Sequence, residues 1–377
     1  MLMRSVGVFA VLLSFAFPRM LRAETGGLFI GTGATGIYYA TFDFQTGKVG
    51  PAERVAETPR PTFLTLDPRQ QFLYSINELS GTAQGGPRVS AWKVEEAGKL
   101  TLLNSQPAGG DGPCYVDVSG DGRYAAIANY GSGSVSLFPI QEDGALGEAT
   151  GHVQHVGSSV NPQRQSGPHA HISLFDPSGK RVVVADLGTD HVYFYDIGPE
   201  GDLQPSRPAD LALPPGSGPR HVAFSNEGDY LLVLGELSGT ISSFEFSPPS
   251  VSFLQTLSTL AENYPKDQPR AAAEILFHPR LPVVYASNRG PQEIAVFQFE
   301  PQQGMLTRLS AVSSGGKTPR NFRLSPDGKF MIAANQNSDR LTVLMVDQQS
   351  GELALTEHAV TVPQPMCVKV VGQPPNL

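Results

Sequence analysis

The sequence predicts an all-β chain, and within that class a seven-bladed β-propeller whose last blade is closed by strands from both ends. Three observations carry this expectation. Helical periodicity is nearly absent after the first 23 residues; short Val/Ile/Leu/Phe/Tyr-rich runs alternate with Gly, Pro, Asp and Asn clusters. A unit of two strands around a turn, followed by a third strand, recurs every 47 to 57 residues, the spacing of propeller blades. Each end of the chain carries part of a unit that the other end completes.

Met1 to Ala23 read as an export signal. Arg4 supplies the positive start, and the 12 apolar residues Val6–Phe17 are too few to span a bilayer as a helix. Residues 24–377 are expected to form one propeller domain. Gly27–Phe44 resembles the later strands of a unit that lacks its first. Six whole units follow, with turns at Asp67-Pro68, Ser119-Gly120, Asp176-Pro177, Ser225-Asn226, His278-Pro279 and Ser325-Pro326. Their third strands are Val89–Val94, Ser134–Ile140, His191–Ile197, Thr240–Phe246, Glu293–Phe299 and Arg340–Val346. Pro365–Val370 reads as the first strand of a seventh unit, and joining it to Gly27–Phe44 removes the exposed sheet edges.

Composition narrows the function classes. The hydrophobic fraction is 40% and the charged fraction 16%, enough for a large core and little for long solvated helices. The net charge is −8 and no run of five basic residues exists, which excludes nucleic acid and, beyond the signal segment, membrane surfaces as partners. Two cysteines cannot build a disulfide framework or a zinc site. Cys114 and Cys367 occupy similar points in units two and seven, with unit one between them. They are expected to lie beyond the roughly 7 Å limit of a disulfide, as buried free thiols. No Gly-x-Ser-x-Gly elbow is present, and the Gly-x-Gly strings follow no strand–helix pattern. His169 and His171 form a His-x-His pair without a further Cys or carboxylate, so no metal and no cofactor are expected.

The repeat itself points to a site. Six residues before the second turn residue, where each first strand begins, stand Thr62, Cys114, His171, Arg220, Ala273 and Arg320. Ten residues after it, where the second strand ends, stand Glu78, Tyr130, Leu187, Glu236, Arg289 and Gln336. The two strands form a hairpin, so these positions lie side by side, and blades around one axis place them on one mouth of the channel. The register thus gathers His171, Arg220, Glu236, Arg289, Arg320 and Glu78 onto one rim. Asn77, Asn129, Asn288 and Asn335, one position earlier, recur in most units and read as strand-end caps.

At these residues the sequence resembles the seven-bladed lactonase family. That family includes propeller-type 6-phosphogluconolactonases and the carboxy-cis,cis-muconate lactonizing enzyme. The matching stretches are Pro168–Gly179, Gly218–Phe224 with Gly235–Leu237, Ala286–Arg289, and Thr318–Phe322 with Ala333–Gln336. The resemblance implies His171, Arg220, Glu236 and Arg289 as catalytic residues. Arg320, Glu78 and Gln336, on the same rim, are expected to bind substrate.

The reading that follows is metal-independent hydrolysis of a sugar-type lactone. A base activates water, and cations meet the developing oxyanion. His171 is the rim residue expected to titrate near neutrality. Arg220 and Arg289 polarise the carbonyl or hold a carboxylate, and Glu236 orients His171 or an arginine, or serves as base or acid. An exported chain is expected in the periplasm or outside the cell, away from phosphorylated sugars, which favours a non-phosphorylated lactone. The alternatives are a non-catalytic envelope binding propeller and an intramolecular lactone-forming cyclase.

Overall fold

The computed structural model describes residues 25–372; the expected export signal lies outside the described residues. The chain opens with β1 (Thr25–Thr32), β2 (Thr35–Asp43) and β3 (Glu53–Pro59). Blade one follows as β4 (Leu64–Leu66), β5 (Phe72–Asn77), β6 (Arg88–Val94) and β7 (Leu100–Pro107). Blade two is β8 (Pro113–Val118), β9 (Tyr124–Asn129), β10 (Ser134–Pro139) and β11 (Gly151–Gln154). Blade three is β12 (Ala170–Phe175), β13 (Arg181–Asp186), β14 (His191–Ile197) and β15 (Leu203–Ala212). Blade four is β16 (Pro219–Phe224), β17 (Tyr230–Gly235), β18 (Thr240–Ser247) and β19 (Ser250–Ser258). Blade five is β20 (Ala272–Phe277), β21 (Val283–Asn288), β22 (Glu293–Glu300) and β23 (Met305–Ser313). Blade six is β24 (Pro319–Leu324), β25 (Phe330–Asn335), β26 (Arg340–Val346) and β27 (Leu353–Thr361). The last strand, β28 (Pro365–Val371), returns to β1, so blade seven has the order β28-β1-β2-β3. The predicted seven-bladed propeller and its closure from both ends are what the structure shows.

Each hairpin turn is fixed by its first side chain. Asp67 Oδ1 accepts the N–H of Gln71 and Phe72, both at 2.6 Å, and Ser325 Oγ accepts that of Phe330 at 3.1 Å. Except in blade five the fourth turn residue is left-handed, which is why Gly stands there in blades two, three, four and six (Gly122, Gly179, Gly228 and Gly328, φ 68 to 83). Strands are apolar on both faces because each blade is covered by two neighbours. Leu28, Ile30 and Phe42 of blade seven, for example, pack with Phe330, Ile332 and Val343 of blade six.

The recurring asparagines do something other than cap their own strand. Nδ2 of Asn129, Asn288 and Asn335 donates to the carbonyls of Ala108, Thr259 and Ser314, each just past the outermost strand of the preceding blade. They latch each blade to the chain that leaves the previous one. Asp186 takes the equivalent place in blade three, with a 2.7 Å contact to His155 Nδ1. Cys114 and Cys367 are buried and free, as the repeat predicts.

Candidate active site

The innermost strands β4, β8, β12, β16, β20, β24 and β28 surround the axis. At the start of six of them the register shifts by a bulge: at Cys114, His171, Arg220, Ala273–Glu274, Arg320 and Met366. A bulge puts two successive side chains on the same face. Arg220 and His221, and likewise Arg320 and Asn321, therefore both line the channel. The repeat register locates the first of each pair; the second escapes it, because strict alternation sends that residue the other way.

A cleft of about 220 Å³ opens at this mouth, lined by Glu78, Cys114, Tyr130, Arg164, His171, Glu236, Arg289 and Arg320. Below it the channel narrows to about 10 Å³ between His171, His221 and Arg320, room for roughly one water. Larger grooves of about 740 and 630 Å³ lie on the opposite, turn-bearing face. In these grooves Arg181 pairs with Asp196 at 3.0 Å and Arg123 with Asp121 at 2.6 Å. The smaller cleft draws its charged and titratable groups from each of blades one to six.

Glu236 is the centre of the charge cluster. Its Oε2 lies 3.0 Å from Arg220 Nε and 2.8 Å from Arg289 Nη2, and its Oε1 accepts a hydrogen bond from Arg164 Nη2 at 2.8 Å. The first two N–H groups are not aimed squarely at the oxygen, so these are ion-pair contacts. Burial alone would raise the Glu236 pKa, but Arg289, Arg220 and Arg164 outweigh it and hold the carboxyl at about 2. Arg220 is 1% exposed; its Nη1 donates to the Ala273 carbonyl, while burial, Arg289 and Arg320 push its pKa down to about 9. Arg289 Nε donates to the Ala271 carbonyl at 3.0 Å, and burial again lowers its pKa. Arg320 has no carboxylate partner among the described residues. The cleft thus presents three guanidinium groups, with Arg220 just below, against two carboxylates, and Glu78 Oε2 stands buried there without a hydrogen-bond partner.

His171 corrects one expectation. Rather than titrating near neutrality, it is held neutral. Burial, then Arg220, His221, Arg320 and Arg289, push its pKa well below the ordinary 6.5. Its ring sits edge-on to Tyr130 at 5.6 Å and to His221 at 5.3 Å, and its Nδ1 is buried without a partner. No hydrogen bond joins it to Glu236, which is committed to arginines. His169 turns away, stacks on Tyr130 at 4.5 Å and contacts the Tyr130 carbonyl. Gln336 heads a short 3₁₀ turn and does not line the cleft.

Two cleft residues were missed. Arg164 lies on the long connection between β11 and β12, outside the repeated strands; a similarly long connection joins β19 to β20. Its Nη2 also donates to Tyr130 Oη at 3.1 Å. Gln165, fully buried beside it, ties this connection to the Leu187 carbonyl at 2.9 Å. Tyr130 stands at the rim position of blade two, but its type carried no charge signal.

Comparison with known proteins agrees with this architecture. Residues 27–370 match the family model described as lactonase, 7-bladed beta-propeller. The chain is 34% identical to a 6-phosphogluconolactonase of Bacillus subtilis, over 92% of this chain and 97% of the relative. It is 31% identical to a 6-phosphogluconolactonase of Formosa agariphila, over 85% and 90%. The structure of a periplasmic gluconolactonase from Pseudomonas aeruginosa superimposes with a TM-score of 0.88, at 33% identity, covering 93% of this chain and all of that one. The chain belongs to the seven-bladed β-propeller lactonase family.

Proposed function

We propose that the cleft hydrolyses a sugar-type lactone without a metal, by water attack at the ring ester. The observation that carries this is the convergence of His171, Arg220, Arg289, Arg320 and Glu236 from four blades on one cleft. Neutral His171 accepts the proton of the attacking water. Arg320 and Arg289 meet the carbonyl oxygen as it gains charge, where a dry site makes such contacts strong. Glu236, ionised and shared by three arginines, fixes the guanidinium positions; a group held at about 2 is a poor base and no acid at neutral pH. Arg164 and Tyr130 close one side of the cleft and Glu78 offers an acceptor for a sugar hydroxyl.

The excess of guanidinium groups suits a substrate or product bearing a carboxylate, and an aldonate product carries one. The leader read in residues 1–23 and the periplasmic gluconolactonase neighbour support an exported enzyme acting on a non-phosphorylated lactone. The 6-phosphogluconolactonase relatives support the phosphorylated one. The test is proton release from glucono-δ-lactone, related aldonolactones and 6-phosphogluconolactone, with EDTA as control. Hydrolysis above the spontaneous rate, unaffected by EDTA and higher on the non-phosphorylated substrate, is expected. No acceleration across the panel overturns the reading.

A further inference from the structure

Beneath His171 the bulged strands bury a second set of polar groups. His221 is 2% exposed, Glu274 3% and Asn321 1%. His221 Nδ1 lies 2.7 Å from Glu274 Oε1. Asn321 Nδ2 donates to Glu274 Oε2, and Asn321 Oδ1 accepts the Val368 N–H at 3.0 Å. Ionised Glu274 can only accept, so the His221 proton sits on Nδ1 and a lone pair is left on Nε2. The carboxylate thus fixes the tautomer of a histidine in contact with the candidate base.

The His171 and His221 ring centroids are 5.3 Å apart at 62°. Two imidazoles sharing a proton have centroids about 5 Å apart: a hydrogen bond of about 3 Å plus about 1 Å from each ring centre. His171 Nδ1, the buried nitrogen, makes no hydrogen bond in this arrangement, so the two rings must draw together for a proton to pass between them. A proton on His171 would add a positive charge beside Arg220, Arg289 and Arg320. A proton on His221 would instead face the Glu274 carboxylate.

We propose that His221 and Glu274 are positioning residues that take up the proton His171 receives, so that the charge formed in hydrolysis rests below the arginines. The proposal rests on the lactonase reading above. As the water oxygen bonds to the carbonyl carbon, its proton goes to His171 Nε2. The His171 Nδ1 proton passes to His221 Nε2, leaving an imidazolium against Glu274. When the tetrahedral intermediate breaks the bond to the ring oxygen, the proton returns by the same path to the alkoxide. The groups facing His221 are Tyr115 from β8, His171 from β12, Arg220 on its own strand, Glu274 from β20 and Arg323 from β24; Glu274 favours a proton there, against Arg220 and Arg323. Cys367 and Lys369 of β28 and Asp117 of β8 stand beyond Glu274 and Tyr115. Burial lowers the His221 pKa to about 4 despite Glu274.

The test compares wild type, Glu274→Gln and Glu274→Asp on glucono-δ-lactone and 6-phosphogluconolactone. Glu274→Gln is expected to lower kcat by about 10²-fold, in the range for loss of general-base function, with KM within about threefold and a changed pH–rate profile. Glu274→Asp is expected to recover at least a tenth of wild-type kcat. Unchanged kcat and pH profile with only a lower Tm would make the cluster a structural tie to β28 and overturn the proposal. In parallel, ¹⁵N NMR of the wild-type imidazoles reads the tautomers without turnover. His171 and His221 both protonated on Nδ1 is the expected result, and His171 protonated on Nε2 alone overturns the relay. A wild type silent on every lactone removes the lactonase reading, while the NMR outcome still decides the proton path.

Discussion

Replacing Glu236 with Gln keeps the size of the side chain and removes the charge that Arg164, Arg220 and Arg289 share. The carboxyl is 5% exposed and held at about 2, against an ordinary value of 4.5. That gap, at about 1.4 kcal/mol per pH unit, makes the ionised group worth about 3 kcal/mol to the folded state. Removing one partner of a buried ion pair typically costs about 3–5 kcal/mol, in agreement. Arg220 shows the opposite sign, since its pKa falls to about 9 in spite of Glu236. The arginines are held together against burial and mutual repulsion, and the carboxylate is what offsets this. Urea denaturation at pH 7 is expected to find the Gln variant about 3 kcal/mol less stable. The pKa is depressed on folding, so this stabilisation is complete above about pH 4.5 and is lost as pH falls towards 2. At pH 3.5 the difference between the two proteins therefore narrows to about 2 kcal/mol. A difference under about 1 kcal/mol at pH 7, or one that does not narrow in acid, refutes the claim that Glu236 holds the cluster.

Other variants separate chemistry from architecture. His171→Gln is expected to lower lactone turnover by about 10²–10⁴-fold with little change in Tm, measured by proton release and calorimetry. Asn335→Ala removes the hydrogen bonds that the Ser314 and Thr342 hydroxyls make with it at 2.7 and 2.9 Å, and should cost about 1–3 kcal/mol while turnover holds. Deleting residues from Met366 onward removes β28 and leaves β1 as a bare inner edge. Loss of soluble, monomeric protein on size-exclusion chromatography is expected, and an unchanged Tm would contradict it.

What the sequence discloses and what it hides share a cause. A propeller repeats its backbone register, so any residue tied to that register is legible: His171, Arg220, Glu236, Arg289 and Arg320 all fall on two counted positions. Gln336 falls on one of them too and misses the cleft, because the chain after β25 coils into a 3₁₀ turn. Arg164 belongs to a long connection outside the repeated strands. His221, Glu274 and Asn321 enter the channel only because of bulges, which an alternating pattern does not announce. Glu236 looked free to serve as base or acid; its ties to three arginines depend on distances between blades. The asparagine series was visible as a recurrence, but its partners lie one blade back, a relation that only the ring supplies.

The pairing of Gly27 with Val371 has a consequence in time. About 340 residues separate these partners, so at about 5–20 residues per second roughly 20–70 s pass between the synthesis of one and the other. Throughout that interval β1 presents an unpaired inner edge, and blade seven lacks the strand that seats it on the axis. The first six blades can pack on one another in order of synthesis, but the ring cannot lock until the final strand arrives. Resistance of the nascent chain to proteases should therefore appear late and in one step. A partner that shelters the β1 edge meanwhile would raise the yield of closed rings without touching the finished molecule.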